Sequence, residues 1–168
     1  PITRRLTLLA LAATITLAGC ATTSTNVATV GAYRDSIDLN GRLAVNYQKD
    51  GKTESLNGNF NWAQRPGHVD VELVSPLGQT VATIAVTPGS ATLTQAGRAP
   101  VSATDIDGLT QQALGWPLPV SGLRDWLQGY ATATDGKRFA ASPQHDSVTT
   151  QDGWRLHYVS WQDAATPG

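Results

Sequence analysis

The sequence predicts a mainly β protein with inserted helices: an antiparallel sheet that curls, with a helical lid over one mouth. Three observations carry this. Charged residues fill only 15% of the 168 positions, below the usual quarter or so, while 16 Gly and 9 Pro supply turns to a chain that is 40% apolar. Apolar and polar residues alternate over successive short segments from Ile37 to Gln95, the period of half-buried strands. Between Ser102 and Gly129 the period becomes helical, and strands return after it. The length suits one domain. A net charge of −1 without any Lys/Arg run provides no field for a phosphate backbone, which excludes nucleic acid as a partner. A single cysteine leaves no disulfide framework and no Cys-rich zinc site.

The chain opens Pro1-Ile2-Thr3-Arg4-Arg5, runs uncharged from Leu6 to Gly19, and meets its one cysteine at Cys20. This is the layout of a secretory signal, residues 1–19, and the apolar run is shorter than the roughly 20 residues of a spanning helix. Leu17-Ala18-Gly19-Cys20 resembles a bacterial lipobox, in which the cysteine thiol receives a diacylglyceryl group before cleavage. That resemblance implies a mature chain starting at Cys20 with three acyl chains, a firm anchor because each buried CH₂ contributes about 0.8 kcal/mol. Ala21 stands where an Asp commonly marks inner-membrane retention, so the outer membrane is expected. Small and polar residues follow, and residues 20–36 read as lipidated N-terminus and flexible tether.

Folding is expected from Ile37. Leu39, Gly41, Leu43, Val45 and Tyr47 share one parity, and Lys49-Asp50-Gly51 supplies a hairpin turn. In the next strand Leu56, Gly58, Phe60 and Trp62 alternate with Asn57, Asn59 and Asn61, giving one apolar and one wet face. Val69, Val71 and Leu73 continue the pattern to a tight loop at Ser75-Pro76-Leu77-Gly78. Strands from Gln79 to Val86 and Ser90 to Gln95 follow, and such regular spacing argues for a curling antiparallel sheet.

Ile106, Leu109, Ala113 and Leu114 fall at helical spacing, with Ser102 or Thr104 as candidate cap and Gly115 as terminator. Pro117 and Pro119 bar continuation. A second short helix is expected over Gly122 to Gln128, ending at Gly129. The sheet should return at Ser147 to Thr150 and, through Asp152-Gly153, at Trp154 to Trp161.

Recognisable catalytic patterns are missing. His68, His145 and His157 are scattered, with no second ligand at helical spacing, so no metal site is expected. There is no Gly-x-Ser-x-Gly elbow or phosphate-binding loop. Glu54 and Glu72 are the only glutamates and fall on polar strand faces. Five Trp stand out instead, three of which, Trp62, Trp126 and Trp154, should point inward. Either they form an ordinary core or they line a cavity for something greasy, which a curled sheet under a helical lid would enclose.

Phe60-Asn61-Trp62, the stretch from Val74 to Gln79, the block from Leu114 to Gly129, and Gly153 to Tyr158 occur in that order. Together with the lipobox they resemble the LolB family of outer-membrane lipoprotein receptors. The resemblance implies an open, half β-barrel with a helical lid over an apolar cavity, lipid-anchored on the periplasmic face of the outer membrane. It implies uptake of acylated lipoproteins from the periplasmic carrier LolA and their release into outer-membrane lipid. No catalysis and no cofactor beyond the covalent lipid on Cys20 follow from it, and a monomer is expected. Phe60, Trp62, Trp126 and Trp154 are the candidate cavity wall. In the loop, Pro76 fixes φ and Gly78 permits reversal, so Leu77 should protrude. The resemblance implies that this leucine hands cargo to the membrane. Family members run past the position of Gly168 through further strands, so the domain at 37–168 is expected to lack its last ones. The alternative is a structural or assembly lipoprotein that binds a protein partner without transferring lipid.

Overall fold

The computed structural model describes residues 30–161. The signal segment, the lipobox with Cys20, and residues 162–168 lie outside the described residues. Six strands, β1 (Ile37–Lys49), β2 (Lys52–Arg65), β3 (His68–Val74), β4 (Thr80–Thr87), β5 (Ser90–Gln95) and β6 (Val101–Ala103), form one antiparallel sheet in chain order. The registers stack the apolar parities in rows. Trp62 on β2 lies opposite Leu39 on β1 and Val71 on β3, and Phe60 opposite Gly41 and Leu73. Gly41 is needed there, because a Cβ would stand 2.7 Å from the Phe60 ring.

On the wet face Glu72 of β3 accepts hydrogen bonds from Asn61 of β2 (2.8 Å) and Thr80 of β4 (2.6 Å). These bonds hold its carboxyl below the usual glutamate value. The β1–β2 hairpin is longer than its neighbours, since β3 pairs β2 only from Asn59 to Arg65. Its tip and the Ser75–Gly78 loop therefore share one end of the sheet, while Ile37, Gln64 and the β2–β3 turn mark the other.

The lid consists of α1 (Ile106–Leu114) and α2 (Val120–Trp126). The α1 cap is Asp105, whose carboxylate accepts from the backbone N–H groups of Asp107 and Gly108. Ser102, an expected cap, instead belongs to β6 and bonds Thr92 across the ladder at 2.8 Å. Gly115 closes the helix as expected, at φ 81°. The second helix begins and ends two residues earlier than the expected Gly122–Gln128, because the carbonyl of Pro119 already accepts from Leu123 N–H. Its last turn tightens, with Gln128 N–H on Asp125 O and Gly129 N–H on Trp126 O, both 3.0 Å. The buried Thr110 hydroxyl joins the helices, accepting from Leu118 N–H and donating toward Leu118 O and Asp107 O. Asp107 binds the N–H and hydroxyl of Ser121.

Trp62, Val69, Ile84 and Leu93 of the sheet meet Ile106, Leu109, Leu118 and Val120 of the lid in one core. After the lid come two small hairpins, β7 (Tyr130–Thr132) with β8 (Arg138–Ala140), and β9 (Ser147–Thr149) with β10 (Arg155–His157). β10 is shorter than the expected Trp154–Trp161 strand because β9 offers only three residues to pair. The sheet is open: no described strand pairs the outer edge of β1 or of β6. The segment before β1 was expected to be tether to residue 36, yet from Gly31 it is hydrogen-bonded to the body.

Candidate functional site

The loop after β3 is held by its own backbone. Ser75 N–H donates to Gln79 O at 2.8 Å, Gly78 N–H to Ser75 O at 2.9 Å, and Gly78 takes φ 82°, which favours glycine. Pro76, Leu77 and Gly78 are all exposed, and the Leu77 side chain stands clear of the sheet at 89% exposure. Such an apolar tip on a hydrogen-bonded loop has no packing role in the fold.

Directly behind the loop a cavity of about 220 Å³ opens between sheet and lid, walled by Leu43, Leu56, Leu73, Val81, Leu114 and Trp116. Val74 and Ser75 are also in its wall, so the loop forms the rim. A second apolar groove of about 550 Å³ runs between β1 and the lid, with Val45 and Tyr47 on one side and Leu118 and Leu123 on the other. The two spaces share Leu43 and Trp116, and neither has a charged side chain in its wall. Their walls suit alkyl chains, with about 0.8 kcal/mol gained per buried CH₂, and the larger falls in the ordinary range for ligand sites. The ionisable group in the wall of the larger groove is the Tyr47 hydroxyl, which donates to Glu54 at 2.8 Å; that bond, burial and the Glu54 charge push its pKa up.

The four aromatics read from sequence as cavity wall are not brought together. Phe60 is half-buried on the inner face with its ring across Gly41. Trp62 is 2% exposed in the core, where its indole N–H donates to the buried Gln64 carbonyl at 3.3 Å. Trp126, half-buried, faces Trp154 at 6.0 Å and borders a polar depression with Asp125, Thr150 and Gln151. Trp154 does not point inward: it is 37% exposed and edges the larger groove, the only one of the four to line either apolar space. Strand parity gives the face but not whether that face is filled, and Trp62 is core because Gln64 satisfies its N–H inside the protein.

Sequence reasoning missed Trp116 as wall; it entered only as one residue of the block from Leu114 to Gly129. Leu43 and Leu56 had the inner parity, and they lie on the part of the β1–β2 hairpin that extends past the end of β3.

Residues 35–168 match the family model described as outer membrane lipoprotein LolB. Curated relatives agree. Outer-membrane lipoprotein LolB of Cupriavidus taiwanensis is 40% identical over 167 residues, covering 98% of this chain and 82% of that protein. Its counterpart in Cupriavidus metallidurans is 41% identical over 169 residues, 98% of this chain and 83% of the relative. That of Bordetella pertussis is 38% identical over 154 residues, 90% and 76% respectively. With the open sheet, helical lid and uncharged cavity already in place, this similarity along nearly the whole length means that the chain belongs to the outer-membrane lipoprotein LolB family.

Proposed function

We propose that this protein accepts acylated lipoproteins from the periplasmic carrier LolA and inserts them into the outer membrane, whose periplasmic face it occupies through lipid on Cys20. The observation that carries the reading is the juxtaposition of an exposed apolar tip, Leu77, with the rim of an apolar, uncharged cavity. Acyl chains leaving one apolar pocket for another stay out of water throughout. Direction then needs only a difference in affinity, and about 1.4 kcal/mol gives tenfold. No nucleotide, cofactor or catalytic step enters. A lipoprotein with a purely structural role would need neither the cavity nor the tip. The test loads the carrier with a radiolabelled lipoprotein and adds the receptor lacking Cys20. Transfer of label to the receptor, then to added vesicles, is expected; label that stays on the carrier sinks the reading.

A further inference from the structure

The segment ahead of β1 is gripped by three consecutive residues that follow α2. The Gln128 side-chain amide pairs with both backbone groups of Arg34, accepting from its N–H at 2.9 Å and donating to its carbonyl at 3.0 Å. Tyr130 donates its hydroxyl to the carbonyl of Gly31 at 2.7 Å. Between them Gly129 leaves room for Val30, whose side chain occupies the place a Cβ would take. Tyr33 is fixed too: its hydroxyl accepts from buried Gln64 at 3.1 Å, its ring meets Tyr130 edge-on at 5.9 Å, and Arg138 lies over both rings. These contacts span about a hundred residues of sequence and fix backbone rather than a particular side chain at Gly31 and Arg34.

The grip lies at the Gln64 end of the sheet, and Leu77 at the opposite end. β3 runs from one end to the other in seven residues, so the two are about 20 Å apart along the strands at roughly 3.3 Å per step. We propose that Gln128, Gly129 and Tyr130 act as positioning residues that clamp residues 30–34 and thereby set the working length of the membrane tether, so that the barrel stands end-on with Leu77 toward the bilayer. This rests on the receptor reading and on lipidation of Cys20. From Cys20 to Val30 the chain has ten steps, a reach of at most about 36 Å, which exceeds the distance from the clamp to the Leu77 end of β3. Releasing the clamp extends the reach to Ile37, by roughly another 25 Å.

A length suppressor tests this in lipidated protein reconstituted into vesicles, with insertion of carrier-delivered lipoprotein into the same vesicle as readout. Deleting residues 24–29 leaves four steps, at most about 14 Å, too few for the end-on posture. Insertion should fall at least about tenfold, since a tether that cannot span its sites contributes almost nothing, while uptake from the carrier is unchanged. Adding Gln128→Ala with Tyr130→Phe should free the Arg34 amide to hydrogen exchange and restore insertion to within about threefold of the undeleted chain. Arg34→Pro, which removes the clamped N–H from the strap itself, should restore it equally and guards against misfolding of the body. Normal insertion by the deleted chain, failure of a freed strap to restore it, or unchanged exchange in Gln128→Ala each overturns the clamp. If the unaltered chain inserts no cargo, the receptor reading fails, and exchange of the Arg34 amide in the chain with and without Gln128→Ala still decides whether the clamp exists.

Discussion

In the proposed function one exposed side chain, Leu77, meets the membrane. At 89% exposure it contributes nothing to packing, yet burying it in the lipid interface is worth roughly 1.5 to 3 kcal/mol, enough to bias which way the rim faces. Leu77→Glu should leave the thermal midpoint and uptake from the carrier unchanged and slow insertion into vesicles by about ten- to a hundredfold. Insertion at the normal rate, or failure already at uptake, would show that the loop has another role. This tip was legible because Pro76 and Gly78 fix the turn whatever surrounds it. Trp62, Trp126 and Trp154 were less so. A tryptophan's place depends on where its N–H finds a partner and what fills the opposite face: Gln64, only two residues from Trp62, takes its N–H inside the protein, whereas Trp154 meets Trp126 from far along the chain.

At the scale of elements, the long alternating strands were readable because burial of one face enforces a period of two over many residues. β6, β7 and β8 were not, since three residues hold too little alternation to register, whereas the equally short β9 and β10 were read from the Asp152-Gly153 turn between them. The lid is tied internally through Thr110. Thr110→Val keeps the shape but leaves the buried Leu118 N–H without its acceptor, a loss of about 1 to 3 kcal/mol. Urea unfolding should show that loss, and amide exchange at Leu118 should speed up by more than the global loss accounts for. Glu72 ties three strands on the wet face, and its pKa is lowered by the bonds from Thr80 and Asn61. A depressed carboxyl stabilises the fold fully above its unfolded value, and the effect fades as pH falls from 4.5 through the lowered one. Glu72→Gln should therefore flatten the acid limb of stability in that window and leave other windows alone; an unchanged limb would remove Glu72 as its cause.

For the whole molecule, the sheet-lid-hairpin order was readable in the chain, whereas the path of the N-terminal strap was not, because Gln128 and Arg34 meet only once the lid has folded back. Attachment to the membrane is the remaining question at this scale. No helix among the described residues is long and apolar enough to cross a membrane, and the exposed Leu77 offers only about 1.5 to 3 kcal/mol. Three acyl chains on Cys20, the anchor proposed above, would at about 0.8 kcal/mol per buried CH₂ exceed that many times over. On the proposed function the lipid and the tip would have separable roles, one holding the protein and the other orienting it. Cys20→Ala should then yield a folded protein that leaves the membrane fraction on a carbonate wash yet still accepts lipoprotein from the carrier. Adding Leu77→Glu to that variant should abolish the weak vesicle binding that remains. Recovery of Cys20→Ala as an integral membrane protein would place the anchor elsewhere, and loss of uptake would mean that the lipid takes part in the handover itself.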